Sequence, residues 1–222
     1  MSPKAQRLCQ TLAAQGIQAA NVLEAIAQVP REAFIAPALA SQAYDNTTLP
    51  IAEGQTISQP YVVAFMTQTL DLQPTHKVLE IGTGCGYQTA LLCRLARRVY
   101  TIERFKSLSQ TAEAALQRLG YHNYSALVGD GHQGWPNQAP FDRIIVTAGA
   151  THIPPDLLQQ LAPNGVMVLP VGPHEGQQQL VRVAKDAAGE VTHQLLGAVK
   201  FVPMVASNPA PVIQQRRRAD AV

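Results

Sequence analysis

A regular alternation of short apolar runs and helical repeats constrains this chain more than any other feature. Segments with leucine or alanine at helical spacing separate most of the runs. Strands that alternate with helices form βαβ units, whose helices cover both faces of a parallel sheet. The pattern therefore predicts an α/β fold with a doubly wound, mostly parallel sheet. The strand-length runs lie at residues 78–81, 99–103, 124–128, 143–147 and 166–171.

Two further features complete the predicted sheet. Helical spacing at about residues 156–161 places a helix before the fifth strand. After Gly172, apolar runs at residues 178–184 and 191–202 flank a polar turn, which is the pattern of an antiparallel hairpin. We therefore expect a Rossmann-like sheet of seven strands that ends in an antiparallel hairpin.

The first third of the chain predicts an accessory region of helices and loops. Helical spacing predicts one helix over residues 4–15 and a second from Asn21 to about Pro30. Asn21 and Glu24 have the spacing of a capping box. Pro60 is suited to the first turn of a third helix. We expect an accessory region at residues 1–59, a main domain at residues 60–205 and a tail at residues 206–222.

Composition narrows the classes of function. The net charge of +2 is too weak a field to indicate a nucleic-acid-binding protein, and no apolar run reaches the length of a membrane span. The three cysteines form no CxxC pair and the six histidines have no paired ligand spacing. We therefore expect no disulfide framework, no metal site and a reducing, cytoplasmic location.

A glycine-rich turn follows the first strand of the predicted sheet. Gly82, Gly84 and Gly86 have the spacing G-x-G-x-G, and Tyr87 stands where the dinucleotide fingerprint G-x-G-x-x-G requires glycine. In a doubly wound sheet this turn lies at the carboxyl edge, where ligands bind. The pattern favours a ligand that lies across the turn over a pyrophosphate on the helix N-terminus. A tight turn without a ligand has the same spacing.

Three acidic residues follow or end neighbouring strands of the predicted sheet. Glu80 and Glu103 end the first two strands, and Asp130 follows the third. Glu80 could pair with a ligand ammonium group, Glu103 with a ribose diol and Asp130 with an adenine amino group. A cation, a sugar and a base together describe S-adenosylmethionine. Any one of these acids alone would fit a helix cap or a solvated loop end equally well.

With these motifs in place, residues 5–205 resemble the protein-L-isoaspartate (D-aspartate) O-methyltransferase family. The G-x-G-x-G turn alone is shared by many methyltransferases, whereas the order of all the matching segments is much more specific. Cys85 stands where the family often has serine, and Gly149 where alanine is more usual. The matching segments are residues 55–60, 78–88, 129–131, 134–136, 139–142, 147–150, 153–154 and 201–203.

The resemblance implies an enzyme of protein repair with a Rossmann-like methyltransferase fold. Its activity would be transfer of a methyl group from S-adenosyl-L-methionine to the free carboxylate of L-isoaspartyl residues, giving S-adenosyl-L-homocysteine and an ester that closes to a succinimide. The implied partners are isoaspartyl-containing proteins and peptides, without nucleic acid or membrane, and the implied form is a monomer. Ser58 matches the family's active-site serine. The implied cofactor-binding residues are Gln55, Thr56, Ile57, Ser58, Glu80, Gly82, Thr83, Gly84, Gly86, Glu103, Asp130 and Gly131.

The chemistry of this reaction agrees with the residues. A carboxylate is already anionic at neutral pH, so its methylation needs no general base. Ser58 can orient that carboxylate with one hydrogen bond without quenching its charge, although the residue would equally suit a helix entry ahead of Pro60. Three other readings stay open: a methyltransferase for RNA or a small metabolite, a nicotinamide dehydrogenase, which Tyr87 opposes, and a scaffold without activity.

Overall fold

Helices and strands alternate along the chain in the predicted order. The computed structural model describes residues 2–173 and 176–205. The helices of that part of the chain are α1 Pro3–Ala14, α2 Ala20–Gln28, α3 Pro60–Thr69, α4 Tyr87–Leu95, α5 Lys106–Arg118 and α6 Pro155–Gln160. Its strands are β1 Leu49–Pro50, β2 Thr56–Ile57, β3 Lys77–Ile81, β4 Arg98–Glu103, β5 Tyr124–Val128, β6 Phe141–Val146, β7 Leu161–Val171, β8 Gln178–Lys185 and β9 Val191–Val199.

Strands β3 to β9 form one sheet in the order β5-β4-β3-β6-β7-β8-β9. The five strands from β5 to β7 in this order run parallel, while β8 is antiparallel to both β7 and β9. The predicted seven-stranded sheet and its C-terminal antiparallel hairpin are therefore confirmed. The strand order reverses between β3 and β6, and a crevice at the carboxyl ends of the strands is expected at such a point.

Apolar layers cover both faces of the sheet. On one face, Leu12 of α1, Ile26 of α2 and Leu91 of α4 belong to one fully buried cluster with Val78 of β3. Burial of side chains of this size stabilises the fold by about 1.5–3 kcal/mol each. The accessory region thus shares its core with the main domain. The predicted boundary between residues 59 and 60 stays a prediction, and the predicted tail lies outside the described residues.

The capping-box prediction for α2 is wrong. The helix begins at Ala20, one residue before Asn21, and its N-cap residue Ala19 has no side-chain cap. The carboxamide oxygen of Gln68, in α3, instead accepts hydrogen bonds from the amides of Gln18 and Ala19 at 2.6 and 2.8 Å. A side chain some fifty residues away therefore satisfies the amides beside this helix start, which local spacing could not predict.

The last strand is shorter than predicted, because β9 ends at Val199 and residues 200–202 leave the hairpin. The chain then crosses back to the carboxyl edge of the sheet. There the amide of Gly149 donates to the carbonyl of Val202, and the amide of Met204 donates to the carbonyl of Gly149, both at 2.8 Å. These backbone bonds to the loop after β6 replace the bonds that a longer hairpin would make.

None of the helices in the described ranges has the length and apolar character needed to cross a membrane.

Candidate active site

A cavity opens at the carboxyl edge of the sheet, where the strand order reverses. Ligands bind at this place in doubly wound sheets. Its walls come from segments that are far apart in the sequence. They are residues 55–58 at β2, Val63 and Met66 of α3, residues 81–85 at the end of β3 and after it, Tyr87 and Gln88 of α4, residues 102–105 at the end of β4, Gly131, Thr147 and Ala148 after β6, and residues 201–205.

Nine of the twelve predicted cofactor residues line this cavity. They come from the β2 segment, the glycine turn, the end of β4 and the turn after β5. Their contacts with a cofactor stay a prediction, but the structure brings them together around one space. These residues are Gln55, Thr56, Ile57, Ser58, Gly82, Thr83, Gly84, Glu103 and Gly131.

Glu103, the last residue of β4, places its carboxylate in the cavity wall. Its Oε2 accepts a hydrogen bond from the amide of Gly84 at 2.8 Å, and its Oε1 accepts one from the amide of Phe105 at 2.9 Å. The residue is only 5% exposed, so these bonds fix the orientation of the carboxylate. Each carboxylate oxygen has a second lone pair for a ligand hydroxyl. The arrangement is suited to a vicinal diol such as that of ribose.

Glu80 does not line the cavity, contrary to expectation. Its side chain is fully buried against α4, where Oε2 accepts a hydrogen bond from the Thr89 hydroxyl at 2.6 Å. The other oxygen, Oε1, has no hydrogen-bond partner among the described residues. Burial raises the pKa of Glu80 to about 8, so the carboxyl is mainly protonated at neutral pH. An enclosed, uncharged carboxyl is a poor direct partner for an ammonium group.

Gly86 and Asp130 also lie outside the cavity wall. Gly86 precedes α4 with a φ of 92°, and a Cβ atom there would lie 3.1 Å from the Cβ of Ala112 in α5, so this glycine serves helix packing. The Asp130 carboxylate accepts a hydrogen bond from the amide of His132 and contacts the His132 ring nitrogen Nδ1, both at 2.9 Å. Asp130 thereby caps the short turn that presents Gly131 to the cavity.

Ser58 lines the cavity at the end of the β2 segment and is half-buried. Within the described ranges its hydroxyl makes no hydrogen bond, while its main-chain carbonyl accepts one from Nη2 of Arg31 at 2.7 Å. The main chain of Ser58 is therefore held from behind the wall, and its hydroxyl stays available to a ligand. The sequence gives no local signal for Arg31, which lies 27 residues earlier.

Thr147 is a wall residue that sequence reasoning missed. Its hydroxyl donates to the carbonyls of Ile81 and Gly82 at 3.0 and 2.7 Å, which fastens the glycine turn to the end of β6. Gly82 has a φ of 92°, and a Cβ atom there would collide with the Thr147 hydroxyl, so only glycine fits. The rule that ligands bind at the carboxyl ends of strands could have pointed to Thr147.

The segment at residues 201–205 closes another side of the cavity and depends on Gln178. This glutamine is 1% exposed. Its Oε1 accepts a hydrogen bond from the amide of Phe201 at 2.8 Å, and its Nε2 donates to the carbonyl of Pro173 at 3.1 Å. No local pattern indicates the contact with Phe201, because that residue lies 23 positions from Gln178 in the sequence.

Cys85 lies in the wall as a neutral thiol, since burial raises its pKa to about 11. Across the described ranges, no group of three or more His, Cys, Asp or Glu side chains could hold a metal ion. The predicted lack of a metal stays a prediction.

The fold and the site define a class of protein. An open, doubly wound sheet, a G-x-G-x-G turn at its reversal point and a fixed carboxylate at the end of the next strand are the marks of a Rossmann-like methyltransferase.

Comparisons with known proteins narrow this class. The family model for protein-L-isoaspartate(D-aspartate) O-methyltransferase (PCMT) matches residues 3–209. A protein-L-isoaspartate O-methyltransferase of Rhodospirillum rubrum is 55% identical over 204 residues, which cover 91% of this chain and 93% of the relative. One of Vibrio cholerae serotype O1 is 52% identical over 209 residues, covering 94% and 99%.

A solved structure agrees with this result. The structure of a Plasmodium falciparum protein, assigned as a protein-L-isoaspartate O-methyltransferase and in complex with S-adenosyl-L-homocysteine, superposes with a TM-score of 0.78. The two chains are 25% identical, and the match covers 91% of this chain and 98% of the other. This chain belongs to the protein-L-isoaspartate(D-aspartate) O-methyltransferase family.

Proposed function

We infer that this protein transfers a methyl group from S-adenosylmethionine to the free carboxylate of L-isoaspartyl residues in damaged proteins and peptides. The match of the family model to residues 3–209 carries this inference, together with relatives of that name at 52–55% identity. The resulting ester starts the repair of the residue through a succinimide. The alternative of an RNA or metabolite methyltransferase has the same fold but lacks this support.

The cavity fits the S-adenosyl group on observations of its own. Glu103 presents a fixed carboxylate with free lone pairs, as a ribose diol requires, and Gly82 and Gly84 line the same cavity at the turn. When bound, the cofactor supplies an electrophilic methyl group on a positively charged sulfur. Ile102 and Met204 add apolar surface to the cavity wall.

The chain's own residues need only orient the acceptor and exclude water. The acceptor carboxylate has a pKa of about 3–4, so no base is required at neutral pH. The Ser58 hydroxyl donates one hydrogen bond to the acceptor carboxylate, which aligns it and leaves its charge available for attack. The segments at residues 55–58 and 201–205 exclude water from the reacting groups, which strengthens the attraction between the charges that react.

A methyl-acceptor assay tests this function. Purified protein is incubated with radiolabelled S-adenosylmethionine and an L-isoaspartyl peptide, and in parallel with the peptide of the same sequence that contains ordinary aspartate. We expect base-labile label in the isoaspartyl peptide and at most background label in the other. A third arm contains total RNA. Label in RNA alone, or equal label in the two peptides, would contradict the proposal.

We further propose that the enzyme works in the cytoplasm as a monomer without a metal, a membrane or nucleic acid. The low net charge of +2 supports the absence of nucleic acid, and the three unpaired cysteines support a reducing, cytoplasmic location. Light scattering of the purified protein should give the mass of one chain. Activity should be unchanged after treatment with a chelator.

A further inference from the structure

Arg31 lies directly behind the wall that carries Ser58. It begins a short 3-10 turn after α2 and is fully buried. Its Nη2 donates a hydrogen bond of 2.7 Å to the main-chain carbonyl of Ser58. Its guanidinium carbon lies 4.7 Å from the ring centroid of Tyr87, the first residue of α4. Ser58 and Tyr87 both line the cavity, whereas Arg31 does not, so Arg31 connects two wall residues from outside.

The environment of Arg31 is unfavourable for a charged side chain. Its Nε and Nη1 are buried without a hydrogen-bond partner in the described part of the chain, and no carboxylate there forms an ion pair with it. Burial lowers the pKa of Arg31, and the favourable interaction with Tyr87 offsets only part of this effect. Unpaired buried donors and uncompensated buried charges destabilise a fold. Stability alone therefore does not account for an arginine at this position.

Arg143 provides an internal comparison. This arginine, in β6, is 7% exposed and lies away from the cavity, toward the start of its strand. All three of its guanidinium nitrogens donate to main-chain carbonyls, as expected of an arginine that serves the fold. The acceptors are the carbonyls of Leu70, Asp71, Asp142 and Asn164.

We propose that Arg31 is a positioning residue for methyl transfer. It fixes the main chain of Ser58 against the ring of Tyr87, so that the Ser58 hydroxyl is presented to the acceptor carboxylate in one orientation. Because Arg31 bonds the carbonyl and not the hydroxyl of Ser58, the hydroxyl keeps its donor for the acceptor. Loss of this bond lets the β2 segment shift, and small misalignments of reacting groups lower the rate strongly. The proposal rests on the function proposed above.

Three variants test the proposal: Arg31→Met, Arg31→Lys and, as a matched control, Arg143→Met. For each, kcat and KM are measured with the isoaspartyl peptide, together with the Kd for S-adenosylhomocysteine and the Tm. We expect Arg31→Met to lose at least about tenfold in kcat through misalignment, with KM and Kd changed by less than about threefold. Its Tm should equal or exceed that of the wild type, because a shape-matched apolar side chain removes an unpaired buried charge.

The other two variants give distinct results. Arg31→Lys keeps a donor that can reach the Ser58 carbonyl and should recover part of the lost kcat. Arg143→Met leaves four carbonyls without their donor, so its Tm should fall while the kcat of the folded enzyme stays at the wild-type value. Active sites are counted by titration with S-adenosylhomocysteine, so each kcat refers to folded protein. If Arg31→Met fails to fold, Arg31→Leu takes its place, and a wild-type kcat there overturns the proposal.

Several results would overturn the inference. Wild-type kcat in Arg31→Met would do so at any Tm, and a lowered Tm with wild-type kcat would show a role in folding alone. A change confined to KM or to the Kd for S-adenosylhomocysteine would also contradict a positioning role. If the wild-type enzyme does not label the isoaspartyl peptide, the proposed function is wrong, and the role proposed for Arg31 is wrong as well. If the wild type labels the peptide and the Arg31 variants keep the wild-type kcat, only the role of Arg31 is refuted.

Discussion

The main-chain amide of Gly84 and the carboxylate of Glu103 are joined by a hydrogen bond of 2.8 Å across two adjacent strand ends. This bond makes the glycine turn after β3 and the acidic end of β4 a single unit. The Phe105 amide binds the other carboxylate oxygen, so the carboxylate is oriented before any ligand arrives. A preorganised acceptor loses little conformational entropy when it binds a ligand.

We predict that Glu103→Gln weakens cofactor binding. The amide nitrogen of glutamine cannot accept a hydrogen bond, so either Gly84 or Phe105 loses its acceptor, and a bound diol loses a charged acceptor. Hydrogen bonds to charged groups contribute about 1.5–3 kcal/mol, which corresponds to a loss of roughly 10–100-fold in affinity. Titration calorimetry with S-adenosylhomocysteine measures the change. The exposed control Glu190→Gln should bind like the wild type. Wild-type affinity in Glu103→Gln would remove Glu103 from the cofactor site.

The buried carboxyl of Glu80 predicts a pH-dependent stability. Its pKa is raised from 4.5 to about 8 in the folded protein. Between these two pH values the folded state holds a proton that the unfolded state has released. The contribution of Glu80 to the free energy of unfolding is therefore greatest below about pH 4.5 and decreases as the pH rises through about 8.

Glu80→Gln removes the titrating proton at that position. The difference between the Tm of this variant and that of the wild type should increase in favour of the variant from pH 5 to pH 8. The increase should be at least about 4 °C, equivalent to ~1–2 kcal/mol for a chain of this size. Thermal unfolding followed by circular dichroism at four pH values measures the trend. Glu24→Gln, at an exposed helix position, should show no such trend. A constant difference for Glu80→Gln across this range would contradict the raised pKa.

Gln178 predicts an effect on both stability and cofactor affinity. Gln178→Leu leaves the half-buried amide of Phe201 without its acceptor, and an unsatisfied group costs up to about 1–3 kcal/mol when it is buried. Because Phe201 begins the wall at residues 201–205, we also expect weaker binding of S-adenosylhomocysteine. Denaturant unfolding and calorimetry measure the two effects. Gln179→Leu, at the exposed neighbouring position, is the control. A loss of stability with unchanged affinity would separate this wall from the cofactor.

The parts of the site that lie next to strand ends could be predicted from the sequence. Apolar periodicity places the strands, and parallel strands bring their carboxyl ends to one edge, so Gly82, Gly84 and Glu103 had to meet there. The same reasoning misplaced Glu80. Successive side chains of a strand point to opposite faces, and the Glu80 side chain points into the layer under α4 rather than toward the crevice.

Other parts of the site could not be predicted because their contacts join distant segments. Arg31 reaches Ser58 across 27 residues, and Gln178 reaches Phe201 across 23. Each bond is made between a side chain and a main-chain group, so it leaves no pattern of complementary residue types in the sequence. The return of residues 201–205 to the sheet edge likewise depends on backbone bonds with Gly149, which any residue type can make.

Ser58 gives the most direct prediction about the reaction. Its hydroxyl is the polar side-chain group that we assign to the acceptor carboxylate, so Ser58→Ala should lower kcat for the isoaspartyl peptide by roughly 10–100-fold, the value of one hydrogen bond to a charged group. The Kd for S-adenosylhomocysteine should stay within about twofold, because the main-chain carbonyl of Ser58 and its bond from Arg31 are kept. Steady-state kinetics and calorimetry measure the two quantities, with Ser41→Ala at an exposed position as the control. Turnover at the wild-type rate in Ser58→Ala would mean that the acceptor is aligned by main-chain groups alone, and the Ser58 hydroxyl would then have no part in catalysis.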